Sequence, residues 1–453
     1  METDPSVDDV RRQLREFADG APVEDLLPGT YRKAQSRHRA RRVGSACVAV
    51  SVVMSGVYVA GQARSANQTP LLPSGDRTRI TQTGPPYPST GPATAAALAS
   101  GHWTRMAPAP VTARSGAASA WTGRELLVWG GANDAEFGDG AAYDPATDNW
   151  RQLPPAPLSA RTAVASVWTG TQWFLWGGQQ GAHVLGDGAL YDPATNRWTP
   201  LSGGPLGARG GATAVWDGHE VLLFGGWGDA RAALTAADGA GYDPTAGKWR
   251  QVLPAPMPEH TAVYVEAVAA GPDVYVWAQW ANTLGGGIVN GTTALRFDTK
   301  AWQWHAVEAS TPIAVSSPLW TGRELLLPAQ GPFFTHRHPA PMNVVGYRRT
   351  PDATAFTALP HGPVDDCNPT TTWTGAALIA GPVGCSDDGP PGAVVKPGDI
   401  AAWDPQTNRW SPLAKAPDSG GDIVVWTGDR LLDWGSAHPT GGALHEVGLV
   451  LRG

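Results

Sequence analysis

Three arginines, Arg114, Arg161 and Arg209, each stand seven residues before the tryptophan of a Trp-Thr-Gly or Trp-Asp-Gly triplet, and His260 opens the corresponding stretch that follows. A guanidinium is a planar fork of donors that suits a carboxylate or another anion. Two roles are open for these arginines. They converge on an anionic ligand, or each braces nearby loop carbonyls or an aspartate. A second group, Phe333, Phe334, His336, Arg337 and His338, combines stacking rings with imidazole and guanidinium groups and reads as ligand-contacting. His336 and His338 are spaced for metal ligation, but no matching ligand set accompanies them. A further polar stretch holds Asp387, Asp388, Lys396 and Asp399. The chain has no nucleophile elbow, phosphate-cradling glycine loop or His-Glu-x-x-His motif. No catalytic residue, metal or other cofactor is assigned, and the reading leans away from an enzyme.

The elements that position these residues are repeated. Trp121-Thr122-Gly123, Trp168-Thr169-Gly170, Trp216-Asp217-Gly218, Trp320-Thr321-Gly322, Trp373-Thr374-Gly375 and Trp426-Thr427-Gly428 recur about every 50 residues, with a degenerate copy at Ala269-Ala270-Gly271. Each triplet joins two apolar runs and predicts a tight hairpin. Gly130-Gly131, Gly177-Gly178 and Gly225-Gly226 close the second run, where missing side chains permit close backbone approach. A third run ends in Tyr143-Asp144-Pro145, Tyr191-Asp192-Pro193, Tyr242-Asp243-Pro244 or Trp403-Asp404-Pro405, a turn signal. Seven residues after each of those aromatics comes Trp150, Trp198, Trp249 or Trp410, and Phe297 is followed likewise by Trp304. Such regularly placed tryptophans predict wedges between packed units.

The double glycine with spaced Tyr and Trp resembles the kelch repeat family. The resemblance implies an all-β, seven-bladed kelch-type β-propeller over residues 101–453. It is strong in the first three copies and weaker afterwards. Ala278-Gln279 and Ala329-Gln330 replace the double glycine in copies four and five, Tyr347-Arg348-Arg349 replaces Tyr-Asp-Pro, and copy six has Gly381-Pro382. The last copy has room for only three strands. Residues 101–110 match a fourth strand, so an N-terminal strand is expected to complete the last blade and remove two sheet edges. The loops between second and third strands lengthen from blade one to blades five and six, as on a recognition surface or at sites that tolerate insertion. Some kelch propellers read acidic partners with arginines placed as Arg114, Arg161 and Arg209 are. Galactose oxidase-like copper enzymes share this propeller, but their two His, two Tyr and cross-linked Cys find no matching set here.

The rest of the chain is organised around an apolar segment. Residues 44–61 contain no charge, are just long enough to span a bilayer, and follow a basic run from Arg32 to Arg42. Only Arg64 follows closely, which predicts an uncleaved signal-anchor helix with its N-terminus in the cytoplasm. A cleaved signal peptide is the alternative, but more than forty residues precede the apolar stretch. Residues 1–43 form a short cytoplasmic segment, in which Val7, Val10, Leu14 and Phe17 fall at helical spacing. Residues 62–100 read as a flexible Pro/Ser/Thr-rich linker. Cys47 lies in the apolar segment. Cys367 and Cys385 flank the hairpin of blade six and are expected to pair as a disulfide in an oxidising exterior.

A net charge of −7 excludes a nucleic-acid footprint. The leading function is a membrane-anchored extracytoplasmic module binding a protein, peptide or glycan, an anionic one included. One alternative is a transmembrane sensor acting through a cytoplasmic partner of residues 1–43. This layout resembles that of bacterial anti-sigma-like membrane proteins, although those residues lack a recognisable sigma-binding domain. A second alternative is a carbohydrate-active enzyme.

Overall fold

The computed structural model describes residues 94–453 apart from 229–237, 257–261, 285–286, 308–316, 329–345, 361, 363–369, 382–399, 418–420, 422, 438–444 and 453. The 1–43 segment, the apolar stretch 44–61, most of the linker, His260, Phe333, Phe334, His336, Arg337, His338, Cys367 and Cys385 lie outside the described residues. Among the described residues no helix is long and apolar enough to cross a membrane.

The second strand of the first repeat, Leu126–Trp129, has no polar residue, and all four of its side chains are buried. A strand buried on both faces must lie between two other layers. Leu126 and Val128 pack toward the last repeat, whereas Leu127 and Trp129 pack toward the second. The same logic repeats around the molecule. Seven four-stranded antiparallel sheets form the blades of a β-propeller, and a separate apolar cluster fills each junction between neighbours.

Blade one comprises Ala118–Trp121, Leu126–Trp129, Gly140–Asp144 and Asn149–Gln152. Blades two to six span residues 165–200, 213–252, 262–306, 319–358 and 371–412. Blade seven takes three strands from the C-terminal end, Ile423–Trp426, Arg430–Ala437 and His445–Arg452. Its outermost strand is His102–Arg105, which pairs antiparallel to the last strand from His102↔Arg452 to Arg105↔Leu449. The expected closure is therefore present, and the seventh junction is sealed by Met106, Trp434 and Val450 packed with Trp121 and Tyr143.

Two features depart from the sequence reading. Within the stretch read as linker, Ala95–Ala99 form a short helix capped by the Thr94 hydroxyl, which accepts from the Ala97 amide. Its alanines favour helix, and Ala95 and Leu98 are buried against blades six and seven. In blade four the stretch read as a longer loop is mostly strand. Asp273–Leu284 and Gly287–Asp298 are twelve residues each, against four to five in the matching strands of blades one to three. Their pairing continues without a break out to Leu284↔Gly287. Residues such as Thr283, Ile288, Val289, Thr292 and Thr293 are β-branched and suit that extension.

Candidate functional site

The repeated turn residues act locally as their chemistry demands. The Thr122 hydroxyl accepts from the Glu125 amide at 2.8 Å, and the following Gly123 has φ +91°. Asp217 replaces the threonine in blade three, and its carboxylate accepts from the His219 and Glu220 amides. At the other turn, the carboxylates of Asp144, Asp192, Asp243, Asp298 and Asp404 accept from amides two to three residues on. Asp148, Asn196 and Asn408 then take the left-handed conformation, which short polar side chains tolerate.

The seven-residue spacing between aromatics becomes a cross-strand pair. Tyr143 lies opposite Trp150, Tyr191 opposite Trp198 and Tyr242 opposite Trp249, with ring centroids 4.9, 4.9 and 4.8 Å apart. Each tryptophan then reaches the preceding blade. The indole N–H groups of Trp150, Trp198, Trp249, Trp304 and Trp410 donate to the carbonyls of Ala107, Pro154, Ser202, Leu253 and Pro360 at 2.8–3.0 Å. Trp103 of the closing strand donates likewise to Ala414 at 2.6 Å. The expected wedge is thus also a hydrogen-bonded staple, present in every blade but the fifth, where Ala358 takes the position facing Tyr347.

Second strands end, and first strands begin, at the same rim of the propeller. Here the structure places Arg114, Arg161 and Arg209 in equivalent corners of blades one to three. All three side chains are 1–2% exposed. Arg161 donates through Nε to the Ser159 carbonyl at 2.8 Å, and through Nη1 to the Gly177 carbonyl at 3.1 Å. Its two terminal nitrogens grip both oxygens of Asp187 at 2.6 and 3.0 Å. Arg209 repeats this with the Gly225 carbonyl and Asp238. Arg114 differs: its Nη1 alone bonds the Gly130 carbonyl, the Asp139 carbonyl and one Asp139 carboxylate oxygen, and its guanidinium lies 4.2 Å from the Phe137 ring centroid.

The double glycine links one corner to the next. The Gly131 amide donates to the Arg161 carbonyl and the Gly178 amide to the Arg209 carbonyl, both at 3.0 Å. A Cβ on Gly178, whose φ is +104°, would lie 2.7 Å from the Thr162 carbonyl oxygen. Backbone contact of that kind leaves no room for any other residue.

These corners set the electrostatics of the rim. The cations are buried, while Asp139, Asp187 and Asp238 are 43%, 54% and 38% exposed. Burial opposes ionisation of Asp187, but the hydrogen bonds and charge of Arg161 outweigh it and hold the carboxyl below its usual range. Sequence reasoning missed these three aspartates, although each stands four residues before the tyrosine of a Tyr-Asp-Pro turn.

The loops of neighbouring blades also touch along the rim. The Glu136 carboxylate accepts from the Gly181 amide at 2.7 Å, and the Trp227 indole donates to the Gln179 amide oxygen at 3.1 Å. Among the described residues no group of three or more His, Cys, Asp or Glu is placed to hold a metal ion.

Residues 94–278 match the family described as the KLHDC2/KLHL20/DRC7 Kelch-repeats domain. The match takes in the closing strand, the three regular blades and most of the first hairpin of blade four. Comparison with curated proteins finds no match.

Proposed function

We propose that this chain is a membrane-anchored interaction module whose propeller stands outside the membrane on the 44–61 span and the 62–100 linker. It binds a protein or peptide at the rim where second strands pass to third strands. The observation that carries this reading is the construction of that rim in blades one to three. Buried arginines fix its corners and the double glycines lock neighbouring corners together, so a partner meets a surface that needs little ordering on binding. In this proposal Arg114, Arg161 and Arg209 act from beneath, presenting Asp139, Asp187 and Asp238. The specific contacts come from the long stretches of the same rim, with His260, Phe333, Phe334, His336, Arg337 and His338, and a Cys367–Cys385 disulfide ties down the stretch of blade six.

The test is in-cell photo-crosslinking of the full chain, comparing wild type with a variant whose residues 331–344 are replaced by a short Gly/Ser turn. Loss of the crosslinked species at an unchanged melting temperature supports the rim. Identical crosslinking would remove blade five from the reading, and identical crosslinking after the same replacement in blade six as well would sink it. The amphipathic and basic 1–43 segment carries a second reading, a sensor. It predicts a cytoplasmic species crosslinked through residues 1–43 whose yield changes with the rim variants.

A further inference from the structure

We propose that the junction of blades three and four carries a phosphate-binding site, built on Arg250 and Trp302 at the end of the blades away from the Arg209 corner. It is therefore separate from the rim. Arg250 follows Trp249 as Arg151 follows Trp150, yet the two arginines meet different neighbours. Arg151 donates to both oxygens of Glu125, to the Tyr191 hydroxyl and to the Asn196 side-chain oxygen. Asn196 stands four residues after the turn aspartate of the next blade, at φ +54°. The residue four after Asp298 is Trp302, at φ +56°. A bulky side chain is rare in that conformation, and such strain persists only where the surroundings hold it.

The indole is what is held. Its N–H donates to the Gln251 carbonyl at 3.0 Å, and its ring meets Phe297 edge-on with centroids 4.9 Å apart. The Arg250 guanidinium carbon lies 3.1 Å from the Trp302 ring centroid. Where Asn196 offers an acceptor, Trp302 offers a face. The guanidinium is thus fixed in orientation, and none of its N–H groups donates a hydrogen bond to a described residue. The paired charge is Glu220, 3.5 Å away; Arg250 is 51% exposed and Glu220 only 17%. Room for this arrangement comes from Gly241, where a Cβ would lie 2.6 Å from the Glu220 carboxylate and 2.9 Å from the Trp302 ring.

Charge and shape select the ligand. Lys248 lies two residues before Arg250 and so on the same face of the strand, and Lys300 belongs to the turn of Trp302. Both lysines are exposed, and neither makes an ion pair with a described carboxylate. The acids of these turns, Asp217, Asp243 and Asp298, are engaged by backbone amides. Burial holds the Glu220 carboxyl above its ordinary range, which weakens it as a rival for Arg250. A fixed guanidinium fork flanked by two ammonium groups suits a tetrahedral oxyanion with several acceptor oxygens better than a two-oxygen carboxylate.

Phenylglyoxal modification of the full chain, read at each arginine by mass spectrometry, tests this with inorganic phosphate as the probe at constant ionic strength. Phosphate is expected to protect Arg250 and to leave Arg124, 81% exposed in blade one, unprotected. Trp302→Asn gives Arg250 the acceptor that Arg151 has, and should raise the half-protecting phosphate concentration about tenfold. Lys300→Gln changes an exposed side chain, should raise it about threefold, and gives the answer if the Trp302 variant fails to fold. Equal protection of Arg250 by acetate overturns the proposal, as does a modification rate that is the same with and without phosphate. So does a half-protecting concentration unchanged in every variant that folds.

Discussion

In blades one to three a fully buried arginine holds a carboxylate, a loop carbonyl and the first of two glycines, whereas blade five keeps its arginines for looser work. Arg348 lies 5.6 Å from the Trp403 ring centroid, and Arg349 bonds the Ala353 carbonyl and lies 5.3 Å from the Phe356 ring centroid. Neither makes an ion pair with a described carboxylate. Blade five also lacks the indole staple, and its outer strand is only Thr357–Ala358, both exposed. What it retains is apolar: Leu319, Leu326 and Leu359 packed with Leu378 and Trp403 of blade six. Among the described residues, blade five is tied to blade six by apolar burial and one cation–ring contact. The polar wiring of the first three blades adds a fixed loop geometry that burial, being non-directional, does not supply.

The comparison is broken most sharply at its largest element. Arg161→Met leaves Asp187 and two carbonyls without their buried donor, and is expected to cost about 4 kcal/mol, read from the urea midpoint. Arg348→Met, which removes only a contact over a ring, should cost about 0.5 kcal/mol. Equal losses would mean that the regular corners are no more than packing. A smaller contrast lies between two glycines of blade two. Gly178→Ala meets both a positive φ and a backbone oxygen, and is expected to cost about 3 kcal/mol in the same assay. Gly170→Ala, with φ +96° and open space around its Cβ position, should cost about 1.5 kcal/mol.

The smallest effect is that of pH. Asp187 is held below its unfolded value, so its contribution is present above about pH 3.9 and lost as pH falls through the folded value. The stability gap between wild type and Arg161→Met should therefore narrow when titrated below about pH 4. A constant gap would show that the carboxylate charge does not matter to the corner.

Much of the fold was legible because each repeat writes its turns in residues with few alternative uses. Thr122, Asp144 and Gly131 are each needed for one local bond or one backbone conformation, and those needs recur in several copies. Trp198 was legible as a wedge, but its bond to the Pro154 carbonyl was not, since a sequence shows an indole without showing which backbone oxygen it faces. The corners were half legible. Arg114, Arg161 and Arg209 stood out by spacing, and the brace reading describes the contacts they make. Their aspartates were hidden in an Asp-Gly pair that also reads as a turn. The blade-four ribbon was obscured because Gly285, Gly286 and Gly287 read as loop, while the strand character of its flanks depends on a register that only the ladder from Asp273 outward fixes.

One consequence of the closing strand concerns time. His102–Arg105 is among the first propeller residues to be synthesised, and His445–Arg452 is the last strand to follow. At about 5–20 residues per second of chain growth, the early strand waits roughly 20–70 s for its only partner. During that interval Trp103 waits for the residues of blades six and seven that it packs against, and Met106 has only its blade-one neighbours. The ring is therefore an open arc for most of its birth. A stop codon inside the last strand would strand both at once, because the seventh blade is held in common by the first and last strands of the propeller.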